Sequence, residues 1–177
     1  MGKQIILTGA HGTGKTTVLN MFKNKTDYPL ITEVVRKLNK EDNIQINELG
    51  DNETQYTIFD KYKELLQGDY ISDRGLTDVC AYTMYLATQG KVFMTLAIKQ
   101  FSEVCAFTKE NPDVHYFYFP IEFDLVDDGV RSVDPQFQQD IDNILKQILK
   151  EAGIQYVTVH GTPEERYKQI INSINNK

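Results

Sequence analysis

Lys3-Gln4-Ile5-Ile6-Leu7-Thr8-Gly9-Ala10-His11-Gly12-Thr13-Gly14-Lys15-Thr16 is an apolar run that breaks into glycines and ends in Gly-Lys-Thr. From Gly9 onward it matches G-x-x-x-x-G-K-[ST] at every position. Lys3 to Thr8 is short and isoleucine-rich, which predicts a buried strand. Lys15 to Lys23 carries Val18, Leu19 and Phe22 at helical spacing. A strand that turns through glycines into a helix makes a cradle for phosphate. Glycines let successive backbone N–H groups point inward where a Cβ would clash, and a helix start adds the positive end of its dipole. Lys15 is expected to reach the β- and γ-phosphates and the Thr16 hydroxyl to ligate Mg²⁺. Gly9, His11, Gly12, Thr13, Gly14, Lys15, Thr16 and Thr17 are therefore the candidate nucleoside-triphosphate positions. The loop needs backbone rather than imidazole at His11, whose side chain is read as a solvent-facing spacer.

Outward from this loop the same alternation repeats. Leu30 to Thr32, Tyr70 to Ser72, Val114 to Phe119 and Ile154 to Val159 read as further strands. Helical spacing fills Glu53–Gln67, Leu76–Thr88, Val92–Thr108, Phe137–Ala152 and Pro163 to about Ile174, with Gly68, Gly90 and Gly153 as stops. The polar stretch from Asn39 to Thr54 has few apolar anchors and reads as irregular. Pro120 to Pro135 reads as a charged loop with an Asp128-Gly129 turn. No two strands are joined by a hairpin-length turn, so the pattern calls for a three-layer α/β fold with a five-stranded parallel sheet.

Composition narrows the rest. A chain of 177 residues fits one domain, residues 1–177. Its 19 Lys+Arg against 25 Asp+Glu give a net charge of −6, and no basic face suggests a duplex nucleic-acid surface. No apolar run approaches a membrane span, and Gly2 lacks the Ser or Thr that myristoylation wants, because Ile6 is there. The expectation is a cytoplasmic protein without a membrane partner. Cys80 and Cys105 make neither a disulfide framework nor a zinc spacing, and read as buried small hydrophobes. His115 and His160 are isolated and receive no role.

Only four basic residues are arginine, and Arg36, Arg74 and Arg131 follow strand ends or lie in the charged loop. Ligands of an open parallel sheet bind at the carboxyl ends of its strands, so these three converge where the phosphate loop opens. The alternative is that each pairs with a neighbouring carboxylate. Glu33 and Asp73 also end strands, where an acid supports Mg²⁺ or takes a proton from an attacking hydroxyl. Asp73 could instead cap the helix from Leu76, and Asp127 and Asp128 could simply form the Asp-Gly turn.

Taken together, the phosphate loop, Thr32-Glu33-Val34-Val35-Arg36, Ser72-Asp73-Arg74-Gly75 with Asp78 and Ala81-Tyr82, and Asp127-Asp128-Gly129-Val130-Arg131 resemble the nucleoside and nucleotide kinase-like P-loop proteins. The resemblance is nearest to small, often phage-encoded domains similar to the ribosylnicotinamide kinase part of a bacterial NAD-biosynthesis regulator. It covers Lys3 to about Ile174 and implies strand order 2-3-1-4-5, an ATP·Mg²⁺ donor and a lid carrying Arg131. It further implies an acceptor pocket between Glu33/Arg36, Asp73/Arg74 and the polar segment, with Gly161-Thr162-Pro163 near the adenine. The long arginine-bearing lid and aromatic acceptor signature of thymidylate kinases are not plain here.

The implied activity is transfer of the γ-phosphoryl group to a nucleoside- or nucleotide-like small molecule. Lys15 and Arg131 would neutralise developing charge, Thr16 and Asp73 would hold Mg²⁺, Glu33 would be the base, and Arg36 and Arg74 would position the acceptor. Phage proteins similar to this family phosphorylate 5-hydroxymethyluracil in DNA, which makes DNA an alternative substrate. A nucleotide-hydrolysing switch with water as the acceptor is the third reading.

Overall fold

The computed structural model of the chain describes residues 3–32, 34–41, 46–125 and 132–175. Five parallel strands run β1 (Gln4–Thr8), β2 (Leu30–Ile31), β3 (Tyr70–Asp73), β4 (His115–Tyr118) and β5 (Tyr156–Thr158). Helices α1 (Lys15–Asn20), α2 (Val34–Glu41), α3 (Asn52–Leu65), α4 (Leu76–Thr88), α5 (Met94–Glu110), α6 (Pro135–Glu151) and α7 (Pro163–Asn175) connect them. The strand order is β2-β3-β1-β4-β5, as expected. β1 pairs with β3 through Ile5↔Ile71 and with β4 through Ile5↔His115. The chain thus crosses from β3 on one side of β1 to β4 on the other, which opens a crevice at the carboxyl end of β1.

The three inner strands are covered on both faces, so β1, β3 and β4 are buried along nearly their whole length rather than alternating. Period-two geometry sends successive side chains to opposite layers. Ile6, Tyr70, Tyr116 and Tyr118 pack in the layer that contains α3, α4 and α6. Ile5, Leu7, Ile71, Phe117 and Phe119 pack against Val18, Leu19 and Phe22 near α1 and against Ile170 and Ile174 of α7. Cys80 lies fully buried in the first layer, and burial pushes its thiol up to about 12, which removes it as a nucleophile. Cys105 is only half-buried, and both cysteines are free. Among the described residues no helix is long and apolar enough to cross a membrane.

The described residues of the Asn39–Thr54 segment, read as irregular, include regular elements. α2 runs to Glu41, a 3-10 turn covers Asn47–Leu49, and α3 begins at Asn52 with Asp51 accepting the Thr54 N–H at 2.9 Å. Two anchors suffice for α2: Val34 and Leu38, one turn apart, are buried in the first layer. In the other direction, α1 ends at Asn20 and gives way to turns, three residues short of its expected end. Glu33, Arg131, Asp127 and the Asp128-Gly129 turn lie outside the described residues.

Candidate active site

The turn from β1 into α1 is built on three glycines with positive φ. A Cβ on Gly9 would lie 2.5 Å from the Phe119 carbonyl oxygen, and one on Gly12 would lie 2.6 Å from the Leu125 side chain. Neither position admits another residue without a backbone or packing shift. Inside the turn the Lys15 Nζ donates to the Gly9 and Ala10 carbonyls at 2.7 and 2.5 Å and to the Thr13 hydroxyl at 3.0 Å. Lys15 is thereby held nearly buried over the loop it belongs to. Thr17 is exposed on α1 and contributes nothing to the small cavity at the loop mouth, which His11 to Thr16, Asp73 and Arg74 line.

His11 is not a solvent-facing spacer. It is buried, its Nδ1 lies 2.9 Å from the Tyr82 hydroxyl, and its ring packs 5.2 Å from Phe137. The reason is α6, whose first turn closes over this side of the loop; that contact joins residues more than a hundred positions apart and has no local signature.

β3 ends at Asp73, directly beside Thr16. The Thr16 Oγ1 donates to Asp73 Oδ2, while Asp73 Oδ1 is buried with no hydrogen-bond partner among the described residues. An orphaned carboxylate oxygen next to a hydroxyl is a donor set suited to a hard cation. Among the described residues no three acids, histidines or cysteines cluster as a metal cage. The Tyr62 hydroxyl donates to the Asp73 carbonyl at 3.1 Å and steadies the strand end.

Asp73 does not cap α4. That role falls to Asp78, the residue sequence reasoning left without a task. Its carboxylate accepts the Gly9 N–H at 3.1 Å, the Thr8 hydroxyl at 3.0 Å and the Gly75 N–H at 2.9 Å. One buried side chain therefore ties the root of the phosphate loop to the start of α4. Burial raises its pKa, against the opposing pull of Lys15 and Arg74. An Asp three residues into the helix after Gly75 is a capping signature, and that spacing could have revealed the cap.

Arg74 is one of three non-glycine residues with positive φ, at 81°. Its N–H donates to the Leu7 carbonyl at 2.9 Å, and its own carbonyl accepts the Ser72 hydroxyl at 2.6 Å. The guanidinium stands over the Tyr82 ring at 5.1 Å. Beyond it opens a cavity with about 80 Å³ of internal space. Its walls are mostly apolar, with Val34, Ile58 and Tyr62 among them, and Arg36 and Gln55 add polar groups. Thr16, Asp73 and Arg74 line both this cavity and the one at the loop mouth. The two spaces meet at those three residues.

Sequence reasoning also set Arg166 aside. It is fully buried, and it pairs with Glu122 at 2.6 Å rather than with Glu164 or Glu165 beside it. Glu122 further accepts the Gly161 N–H at 3.0 Å and pairs with His160. Burial works to raise the Glu122 carboxyl; His160, Gly161 and Arg166 outweigh it and hold the pKa at about 2.

A family model described as an AAA domain matches residues 4–166, and the chain belongs to that family. No curated protein matches the sequence significantly. Among solved structures, deoxyadenosine kinase from M. mycoides with products dCMP and a flexible dCDP bound is 13% identical. The match covers 98% of this chain and 100% of that one, with a TM-score of 0.65. A NadR protein in complex with NR is 18% identical with a TM-score of 0.72. It covers 99% of this chain but 51% of its own, so the chain spans about half that protein's length. Thymidylate kinase from Ehrlichia chaffeensis is 13% identical over 98% of this chain and 100% of that one, with a TM-score of 0.60. At these identities the likeness is one of fold, and the fold is the one that the P-loop kinase resemblance implies.

Proposed function

We propose that this AAA-domain chain is an ATP·Mg²⁺-dependent phosphotransferase that moves the γ-phosphoryl group to a nucleoside- or nucleotide-like acceptor. The observation that carries the reading is the shared wall: Thr16, Asp73 and Arg74 face the phosphate loop on one side and a second, mostly apolar cavity on the other. A hydrolase needs the first space and has no use for the second.

The roles follow from chemistry and position. The acceptor oxygen attacks the γ-phosphorus as the bond to the β,γ-bridging oxygen breaks, and negative charge spreads over the transferred group. Lys15 on the loop and Arg131 on the charged segment are the proposed cations that meet that charge. Thr16 and Asp73 are the proposed holders of Mg²⁺, which when bound neutralises the phosphate oxygens. Glu33, whose chain neighbour Val34 lines the cavity, is the proposed base for the acceptor hydroxyl. Arg36 and Arg74 orient the acceptor, and the apolar walls suit a base stacked between them. The deoxyadenosine kinase and NadR likenesses support a small acceptor of this class.

The test is transfer of labelled γ-phosphate across deoxynucleosides, deoxynucleoside monophosphates, nicotinamide riboside, plain DNA and 5-hydroxymethyluracil DNA, with Lys15→Ala as the blank. Label in one small acceptor is the expected result, and Glu33→Gln should then abolish transfer to a hydroxyl. Label confined to hydroxymethyluracil DNA would shift the acceptor to a modified base in DNA. Label released only as free phosphate would overturn the proposal in favour of a nucleotide-hydrolysing switch.

A further inference from the structure

We propose that Gln138 and Arg166 are positioning residues of the phosphate loop, each gripping one loop carbonyl from outside so that the following glycine N–H faces the phosphate. The inference rests on the reading of the loop as a triphosphate cradle. Gln138 on α6 donates through Nε2 to the His11 carbonyl at 2.6 Å. Arg166 on α7 donates through one guanidinium nitrogen to the Thr13 carbonyl, also at 2.6 Å. Both side chains are buried, and neither lines the cavity at the loop mouth. They stand behind the loop, not in it.

A trans peptide is planar, with its C=O and N–H on opposite sides. Fixing the His11 carbonyl toward Gln138 therefore turns the Gly12 N–H the other way, and fixing the Thr13 carbonyl toward Arg166 turns the Gly14 N–H likewise. These two peptides are the ones that most need holding. A peptide plane flips by changing φ of the residue that follows it, and glycine accepts φ of either sign. Gly12 and Gly14, at φ 74° and 87°, offer no side chain to resist the flip. The Gly9 and Ala10 carbonyls, by contrast, are held from inside by Lys15.

The grips are themselves rigid. Arg166 spends its remaining donors on the Gly161 carbonyl at 2.9 Å and on Glu122 at 2.6 Å. Its guanidinium lies 5.3 and 4.8 Å from the Phe119 and Phe123 rings. The Gln138 amide nitrogen sits so close to Gly12 that a Cβ there would be 3.1 Å away. Donors this immobile orient the loop before any ligand arrives, which is how preorganised N–H groups give their full effect.

The test uses the full chain labelled with ¹⁵N-glycine, whose 11 glycines give few amide signals to assign, titrated with ADP·Mg²⁺. In the wild type the Gly12 and Gly14 amide protons should shift downfield as phosphate binds. Gln138→Met keeps the volume and removes the donor. It should lose the Gly12 response, keep that of Gly14, and weaken ADP roughly tenfold, the scale of one charge-assisted hydrogen bond. Arg166→Lys keeps the charge beside Glu122 and loses the fork, and it should reverse the pattern. The two variants report on different glycines, so either one that folds decides the matter. Weaker ADP binding with both glycine responses intact would mean that these residues act by packing, and would overturn the proposal. A wild type that does not bind ADP would instead overturn the triphosphate reading beneath it.

Discussion

Alanine ordinarily stabilises a folded chain more than glycine does, and at Arg74 the order should invert. With φ at 81° the residue sits in the left-handed region, where a Cβ crowds its own carbonyl by about 1–2 kcal/mol. Arg74→Ala keeps that strain and loses the guanidinium over Tyr82. Arg74→Gly loses the same contacts and relieves the strain, but glycine gives up about 0.5–1 kcal/mol more backbone entropy on folding. The difference leaves the Gly variant ahead of the Ala variant by about 0.5–1 kcal/mol, or ~1–4 °C in Tm for a chain of this size. Thermal unfolding of the two variants side by side measures it directly, since the lost side-chain contacts cancel. Both variants should lose phosphoryl transfer by about a hundredfold or more, the scale of removing a charge-stabilising donor. An Ala variant that melts at or above the Gly variant would refute the argument, because the left-handed backbone at residue 74 would then carry no such strain.

Two further outcomes follow from the carboxylates of Asp78, which is buried, and Glu122, which pairs with the buried Arg166. Asp78→Asn turns one face of the side chain from acceptor to donor, against either the Gly9 N–H or the Thr8 and Gly75 donors. Loss of a hydrogen bond to a charged group is worth ~1.5–3 kcal/mol, and burial of the Asp78 charge offsets part of it. The urea midpoint should fall by about 2 kcal/mol of stability with the slope unchanged, and a midpoint equal to the wild type's would sink this account of the loop's anchor. Glu122 sets an acid limit. Its pKa is held at about 2 when folded against 4.5 ordinarily, so its contribution is complete above the unfolded value and is lost as pH falls through the folded one. Glu122→Gln should flatten the dependence of Tm on pH between 4.5 and 2; a curve as steep as the wild type's would move the acid sensitivity to another carboxylate.

The parts legible in the sequence are those whose signal is local. Lys3 to Thr8 reads as a strand, and the eight residues Gly9 to Thr16 as a turn that opens a helix. Periodicity supplies the alternation that makes the sheet parallel, and Asp73 and Arg74 take their place from ending a strand beside it. Three things escaped because their cause is tertiary. Val34 and Leu38, just before the polar stretch that starts at Asn39, anchor a helix only once neighbouring elements cover them. His11 is buried by α6, and Arg166 reaches back to Thr13 from the far end of the chain. Arg166 also stands beside two glutamates in sequence and pairs with neither.

The distribution of buried charge explains why so much of the site had to be tertiary. Five charged side chains are buried among the described residues: Lys15, Asp73, Asp78, Asp142 and Arg166. All but Asp142 touch the phosphate loop or its root. Burying an ion without a partner costs several kcal/mol, so a fold selected for stability alone would place such groups outside. Here each is met by backbone, by a hydroxyl or by an opposite charge. The exception is one oxygen of Asp73, left unpaired beside Thr16. The loop is thus held by side chains of α4, α6 and α7, and the residue with the unpaired oxygen lines the cavity at its mouth. A loop held that way loses little entropy when it binds, and the rigidity comes from residues scattered over the whole chain.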